Sequence, residues 1–143
     1  MWVALLVALV SGVAMAVQGA INSSLGKIIG LLQAALVVHF TATLAVIGLL
    51  FFPLSEGQLG KLWQTPWYLW LGGLLGVFIT YGVVASIPRV GVALATTAII
   101  VGQVTAALLI DHFAPLGLAK IPFTWWKAVG LVLLAAGARL MLH

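Results

Sequence analysis

The sequence predicts an all-α integral membrane fold of five transmembrane helices. Three observations predict it. Only 6% of the 143 residues are charged, against roughly 25% in a soluble domain, so the chain cannot cover a water-facing surface. The mean hydropathy is +1.29. The apolar residues fall into five long runs, each near the ~20 residues that cross a bilayer. The strict alternation that marks a membrane β-barrel is missing.

The first helix is expected over about Trp2–Ile21. Ala14-Met15-Ala16 mimics a signal-peptide cleavage site. The α-amine is the only positive charge ahead of the apolar run, however, and the run continues to Ile21, so a retained helix is expected. Asn22-Ser23-Ser24-Leu25-Gly26-Lys27 reads as a short polar turn, and the second helix follows over about Ile28–Phe52. Pro53 to Pro66, with Glu56, Gly57 and Gly60, reads as a non-helical connection in which Glu56 is solvated. The third helix is expected over Trp67–Ile87, ended by Pro88-Arg89 because proline cannot continue the hydrogen-bond ladder. The fourth runs over Gly91–Ile110 and stops at Asp111. His112 to Thr124 is a loop with Pro115, Gly117 and Pro122, and the fifth helix covers Trp125 to about Leu142. No linker marks a second domain, so residues 1–143 read as a single transmembrane domain.

Five spans place the termini on opposite faces. The face of the N-terminus then holds Lys61, Lys120 and Lys127; the other holds Lys27, Arg89 and Arg139. Orientation is normally set by an imbalance of Lys and Arg between the two faces. Here the counts are equal, and the reading favoured is insertion both ways round. Trp2, Trp63, Trp67, Trp70, Trp125 and Trp126 all fall on the N-terminal face. Aromatic belts usually occupy both interfaces, and an antiparallel pair of chains supplies one on each side. The net charge of +4 comes from scattered helix-end cations, so a nucleic-acid partner is not expected. The absence of cysteine excludes disulfides, thiolate catalysis and thiolate metal sites.

Polar groups on apolar helices are the candidates for function, because they are costly in hydrocarbon and turn toward protein or water. Ser11, Met15, Gln18 and Asn22 form a stripe on one face of the first helix. His39 lies near the middle of the second helix, with Thr43 one turn on. An ionisable group at that depth marks either a transport path or an inter-helix hydrogen bond. Tyr81, with Thr80, is a weaker candidate on the third helix, and Thr96 and Gln103, seven apart, share a face of the fourth. Gln18, Asn22, His39 and Gln103 are expected to face a common polar cavity. Asp111 is read as an interfacial acid, paired with a lysine in the bland reading. Gly72, Gly76 and Thr80, and again Gly91, Ala95, Ala98, Gly102 and Thr105, form ridges of small residues that let helices approach closely. No Ser-His-Asp set, glycine-rich phosphate loop or metal-ligand cluster appears, so neither an enzyme, a cofactor nor a metal is expected.

Gly130-Leu-Val-Leu-Leu-Ala-Ala-Gly137-Ala138 resembles the terminal-helix glycine heptad of small multidrug resistance transporters. Ala16-Val-Gln-Gly-Ala-Ile-Asn22, Gly102-Gln103 and Asp111-His-Phe-Ala-Pro-Leu-Gly117 resemble the short, five-helix YdcZ-like family of the drug/metabolite transporter superfamily, over nearly the whole chain. That resemblance implies a bacterial inner (plasma) membrane protein and a dual-topology dimer. It implies an antiparallel homodimer, or a heterodimer with a sister protein, held through Gly130 and Gly137. Small multidrug transporters carry a glutamate in the first helix; this chain has Gln18 and Asn22 there and no acid. A neutral polar lining fits an uncharged, zwitterionic or weakly charged metabolite better than a cation.

The expected function is therefore a half-transporter. Two oppositely oriented copies make a ten-helix inverted-repeat bundle that moves a small metabolite or drug-like molecule by alternating access. The alternatives are a non-transporting membrane assembly subunit, which needs no aligned polar faces, and a small channel, which turnover would distinguish.

Overall fold

The computed structural model describes residues 1–52 and 57–141. Their regular structure is helical: α1 (Trp2–Ile29), α2 (Leu31–Leu50), two 3-10 helices (Leu59–Gln64 and Trp67–Leu71), α3 (Gly72–Val90), α4 (Val92–Phe113), a 3-10 turn (Pro115–Gly117) and α5 (Trp125–Leu140). Four segments are long and apolar enough to cross a membrane: Trp2–Ile29, Leu31–Leu50, Trp67–Val90 and Val92–Phe113. At 16 residues α5 is about 24 Å long, short of a ~30 Å hydrocarbon core. Glu56 and the expected helix end at Leu142 lie outside the described residues. The chain divides into two compact units, Met1–Arg89 and Val90–His143.

In the first unit the expected turn after Ile21 does not form. Asn22 to Lys27 are helical, and α1 runs on to Ile29. The reason lies in spacing. Gly19, Asn22, Ser23 and Gly26 recur at i, i+3, i+4 and i+7, so they share one face, and all four are buried. Small polar residues that suit a turn in water suit a close helix contact in a bilayer. Ser24, off that face, satisfies its hydroxyl by donating to the Ala20 carbonyl at 3.0 Å. The helix ends only at Gly30, whose φ of 97° and ψ of 157° are open essentially to glycine alone. The next residue starts α2.

The packed core of this unit is small and lies at one end. It contains Ser23 of α1, Ala34 and Ala35 of α2, and Val84 and Ile87 of α3. Residues 1–15 and 40–50 are exposed throughout, which suits lipid or a neighbouring helix as their covering. The expected break at Pro88 is also displaced. Pro88 lies inside α3, which continues to Val90, and Gly91 caps the next helix at φ 84° and ψ 163°. A proline so near a helix end forfeits one ladder bond without blocking the last residues. The connection before α3 is partly ordered: Trp63 and Trp70 pack edge to face with centroids 5.7 Å apart. The Trp70 indole N–H donates to Thr65 Oγ1 at 2.8 Å, whose hydroxyl donates to the Leu62 carbonyl.

In the second unit α4 starts at Val92 and extends past Asp111 to Phe113. Ala114 stops it in the left-handed region, φ 48°, with its N–H on the Ile110 carbonyl. The segment from 114 to 124 is tied back by an Ile121 N–H donated to the Asp111 carbonyl at 2.9 Å and a Phe123 N–H donated to His112 Nδ1 at 3.3 Å. Thr124 caps α5 by accepting the Lys127 N–H. Lys127, Ala128, Leu131, Leu134 and Ala138 form the half-buried face of α5, and the Thr97 hydroxyl of α4, which donates to the Ala93 carbonyl at 2.8 Å, lies 3.2 Å from the Met141 sulfur.

Candidate functional site

The best-defined polar contact within an apolar region of the first unit joins α2 to α3. His39 is half-buried, and its Nε2 lies 3.3 Å from Thr80 Oγ1. Gly76, one turn before Thr80, makes room for the ring: a Cβ at Gly76 would stand 3.3 Å from His39 Cε1. The glycine–threonine ridge read from the sequence as packing is therefore the seat of the imidazole. His39 also lines a groove of about 300 Å³ with Ala42, Thr43, Val46 and Ile47. Thr43 turns its hydroxyl onto the His39 carbonyl at 2.8 Å, satisfying itself within α2.

The stripe on α1 separates into two kinds of residue. Ser11 is exposed and donates to the Val7 carbonyl at 2.9 Å, so its hydroxyl is spent on its own helix. Gln18 is exposed, on the apolar stretch of α1. Asn22, at 8% exposure, belongs to the packed face with Ser23. No unpartnered side-chain N or O is fully sealed among the described residues, so any amide atom of Asn22 left unbonded is not closed off. Tyr81 is 41% exposed, beside Thr80.

In the second unit Thr96 is half-buried and Gln103, two turns on, is exposed. Of the small ridge on α4 only Ala95 is buried; Gly91, Ala98, Gly102 and Thr105 are exposed. Asp111 is half-buried, and its backbone carbonyl holds the following loop. Lys127 donates its Nζ to the Pro122 carbonyl at 3.0 Å. Gly130 and Gly137 lie off the half-buried face of α5 and have nothing within 4 Å of where a Cβ would be.

Sequence reasoning undervalued Thr80 and missed Gly19 and Gly26. A Cβ on Gly19 would stand 3.1 Å from Val83 and 3.2 Å from Ile87, and one on Gly26 would overlap Val84. Their spacing of seven, equal to that of Gly130 and Gly137, is the signal that could have found them.

A family model described as "Putative inner membrane exporter, YdcZ" matches residues 3–140. No curated protein and no solved structure matches the chain. The chain belongs to this family of exporters, as the resemblance read from its motifs implied, and is an integral protein of the inner membrane.

Proposed function

We propose that this YdcZ-family chain is a half-transporter that works as a pair of oppositely oriented copies and exports a small uncharged, zwitterionic or weakly charged molecule by alternating access. One observation carries the reading. Gln18 and Gln103 stand exposed on long apolar helices. An amide left unpaired in hydrocarbon costs on the order of several kcal/mol, so each is better matched by a water-filled path or by another chain. A ten-helix assembly with a site near the midplane offers both. In this reading α5 is the fifth crossing and the contact between copies. Ser11, Asn22, His39, Thr43, Tyr81 and Thr96 supply the remaining polar surface of the path, and Asp111 lies at its edge.

Cysteine chemistry tests it in a parent that has no cysteine. Gln18→Cys and Gln103→Cys, each in membranes, are expected to react with a small membrane-impermeant thiol reagent. A lipid-facing control, Val132→Cys, is expected not to react. If both glutamine positions stay silent while the protein remains folded, the polar groups are structural, and the assembly-subunit reading takes the place of the carrier.

A further inference from the structure

We propose that His39 is a proton-binding site of the transport path, with Thr80 as its positioning residue. The inference rests on the carrier reading and deepens it, by naming the proton as a ligand of that path.

The argument starts from what a hydroxyl can do. A threonine hydroxyl rotates freely and both donates and accepts. A carbonyl facing the imidazole would accept only an N–H, and a carboxylate would hold the charged ring permanently. Thr80, 3.3 Å from Nε2, selects neither protonation state. With Nε2 protonated, Nε2–H donates to Thr80 Oγ1 and the lone pair of Nδ1 is free. A hydronium or a protonated ligand then passes its proton to that lone pair: one N–H bond forms, one O–H bond breaks, and the ring becomes an imidazolium with both nitrogens as donors. The contact to Thr80 survives the step unchanged. Release reverses it.

The surroundings leave Nδ1 available. The ring bonds Thr80 through Nε2, and no unpartnered side-chain nitrogen is sealed among the described residues, so Nδ1 is not closed off. The groove lined by His39, Ala42, Thr43, Val46 and Ile47 gives the ring an open side. Gly76 gives it clearance on the other. No charged group competes along these helices: α1 carries Lys27 and α3 carries Arg89, both in last turns, α2 carries no other titratable side chain, and the nearest titratable group in sequence to the seat is Tyr81, beside Thr80.

The test reads the ring directly. The full chain is labelled with nitrogen-15 histidine in a His112→Asn, His143→Asn background and placed in lipid bilayers, so that His39 is the sole histidine. Solid-state NMR from about pH 5 to about pH 8 then follows both ring nitrogens, with the proton as the probe. At the upper end a neutral ring is expected, with one nitrogen protonated. At the lower end both nitrogens are protonated, reversibly. A ring that stays neutral throughout overturns the proposal. Thr80→Val is expected to move the Nε2 resonance by removing its hydrogen-bond partner, and Thr80→Ser to restore it. An unchanged spectrum in Thr80→Val removes Thr80 from its role. Failure here, with Gln18→Cys and Gln103→Cys still labelled, leaves the carrier standing without this proton site. Silence at both cysteines removes the carrier itself.

Discussion

Gly26 shows how much depends on an absent side chain. A Cβ there would overlap Val84 Cγ1 of α3, and valine is stiff at χ1, so it cannot swing clear. Gly26→Ala is therefore expected to lower stability by about 1–3 kcal/mol, the usual cost of overpacking a tight contact. Thermal or denaturant unfolding in detergent reads it. Gly12→Ala, where nothing lies within 4 Å, is the control and is expected to leave the midpoint nearly unchanged. Combining Gly26→Ala with Val84→Ala should recover most of the loss, since the second change removes the obstructing methyl. A fully stable Gly26→Ala would mean that α1 and α3 do not touch there. The same position explains what sequence reading could see. Polar periodicity picked out Ser11, Gln18 and Asn22, yet only Asn22 is on the packed face, and Ser11 bonds its own helix. Polarity carries no signal for glycine, so the contact that defines the face was invisible to it. His39 was legible because an ionisable residue inside an apolar run is rare. Its partner Thr80 was legible only as a weaker candidate, because one threonine among small residues looks like packing.

Among the elements, helix existence was legible and helix ends were not. The apolar runs marked the four helices long enough to span and the shorter α5. The breaks were assigned to polar residues and proline, as in a soluble protein, whereas glycine sets two of them. Gly30 and Gly91 adopt nearly the same backbone, φ 97°, ψ 157° and φ 84°, ψ 163°. Each joins two helices without an intervening loop. Asn22-Ser23-Ser24 kept to its helix because packing against another helix rewarded it, and a turn would have lost that contact. Packing within its unit leaves one side of α5 uncovered. Its half-buried face is occupied, while Gly130 and Gly137 look onto open space beside exposed Leu133. Gly130→Leu and Gly137→Leu fill that space. If this stripe holds the second copy, each is expected to weaken the dimer by about 1–2 kcal/mol, the typical worth of a close contact between membrane helices. Cross-linking yield in mild detergent reads it, with Val132→Ala as a neutral control. A dimer unaffected by both leucines would move the contact to the exposed ridge of α4, at Ala98 and Gly102.

At the scale of the whole molecule, the proposed antiparallel pair rests on the balance of charge that normally sets orientation. With α5 counted as a crossing, Lys61, Lys120 and Lys127 oppose Lys27, Arg89 and Arg139, three against three. The structure sharpens where those charges sit. Connections of one glycine at Gly30 and Gly91 leave no loop on the second face, so Lys27 and Arg89 are held in the last turns of α1 and α3. Lys61 sits in the 3-10 helix Leu59–Gln64, and Lys120 in the segment before α5. Charges near helix ends and in short loops are the ones that count for orientation, so every cation in the chain has a vote and the votes cancel. Small changes should therefore tip the balance, and in either direction. Gln58→Lys with Gln64→Lys, both at exposed positions, raises the N-terminal face to five against three. Lys61→Gln with Lys120→Gln lowers it to one against three. A C-terminal reporter active only in the cytoplasm, paired with one active only in the periplasm, is expected to report both compartments for the parent chain. It should report the periplasm alone for the lysine-added variant, whose N-terminal face is held inside, and the cytoplasm alone for the lysine-removed variant. Co-expressing the two oppositely biased variants should restore a cross-linkable pair that neither forms alone. A parent that reports one compartment, or variants that do not diverge, would mean that a feature other than the cation balance orients the chain, and the antiparallel pair would lose its basis.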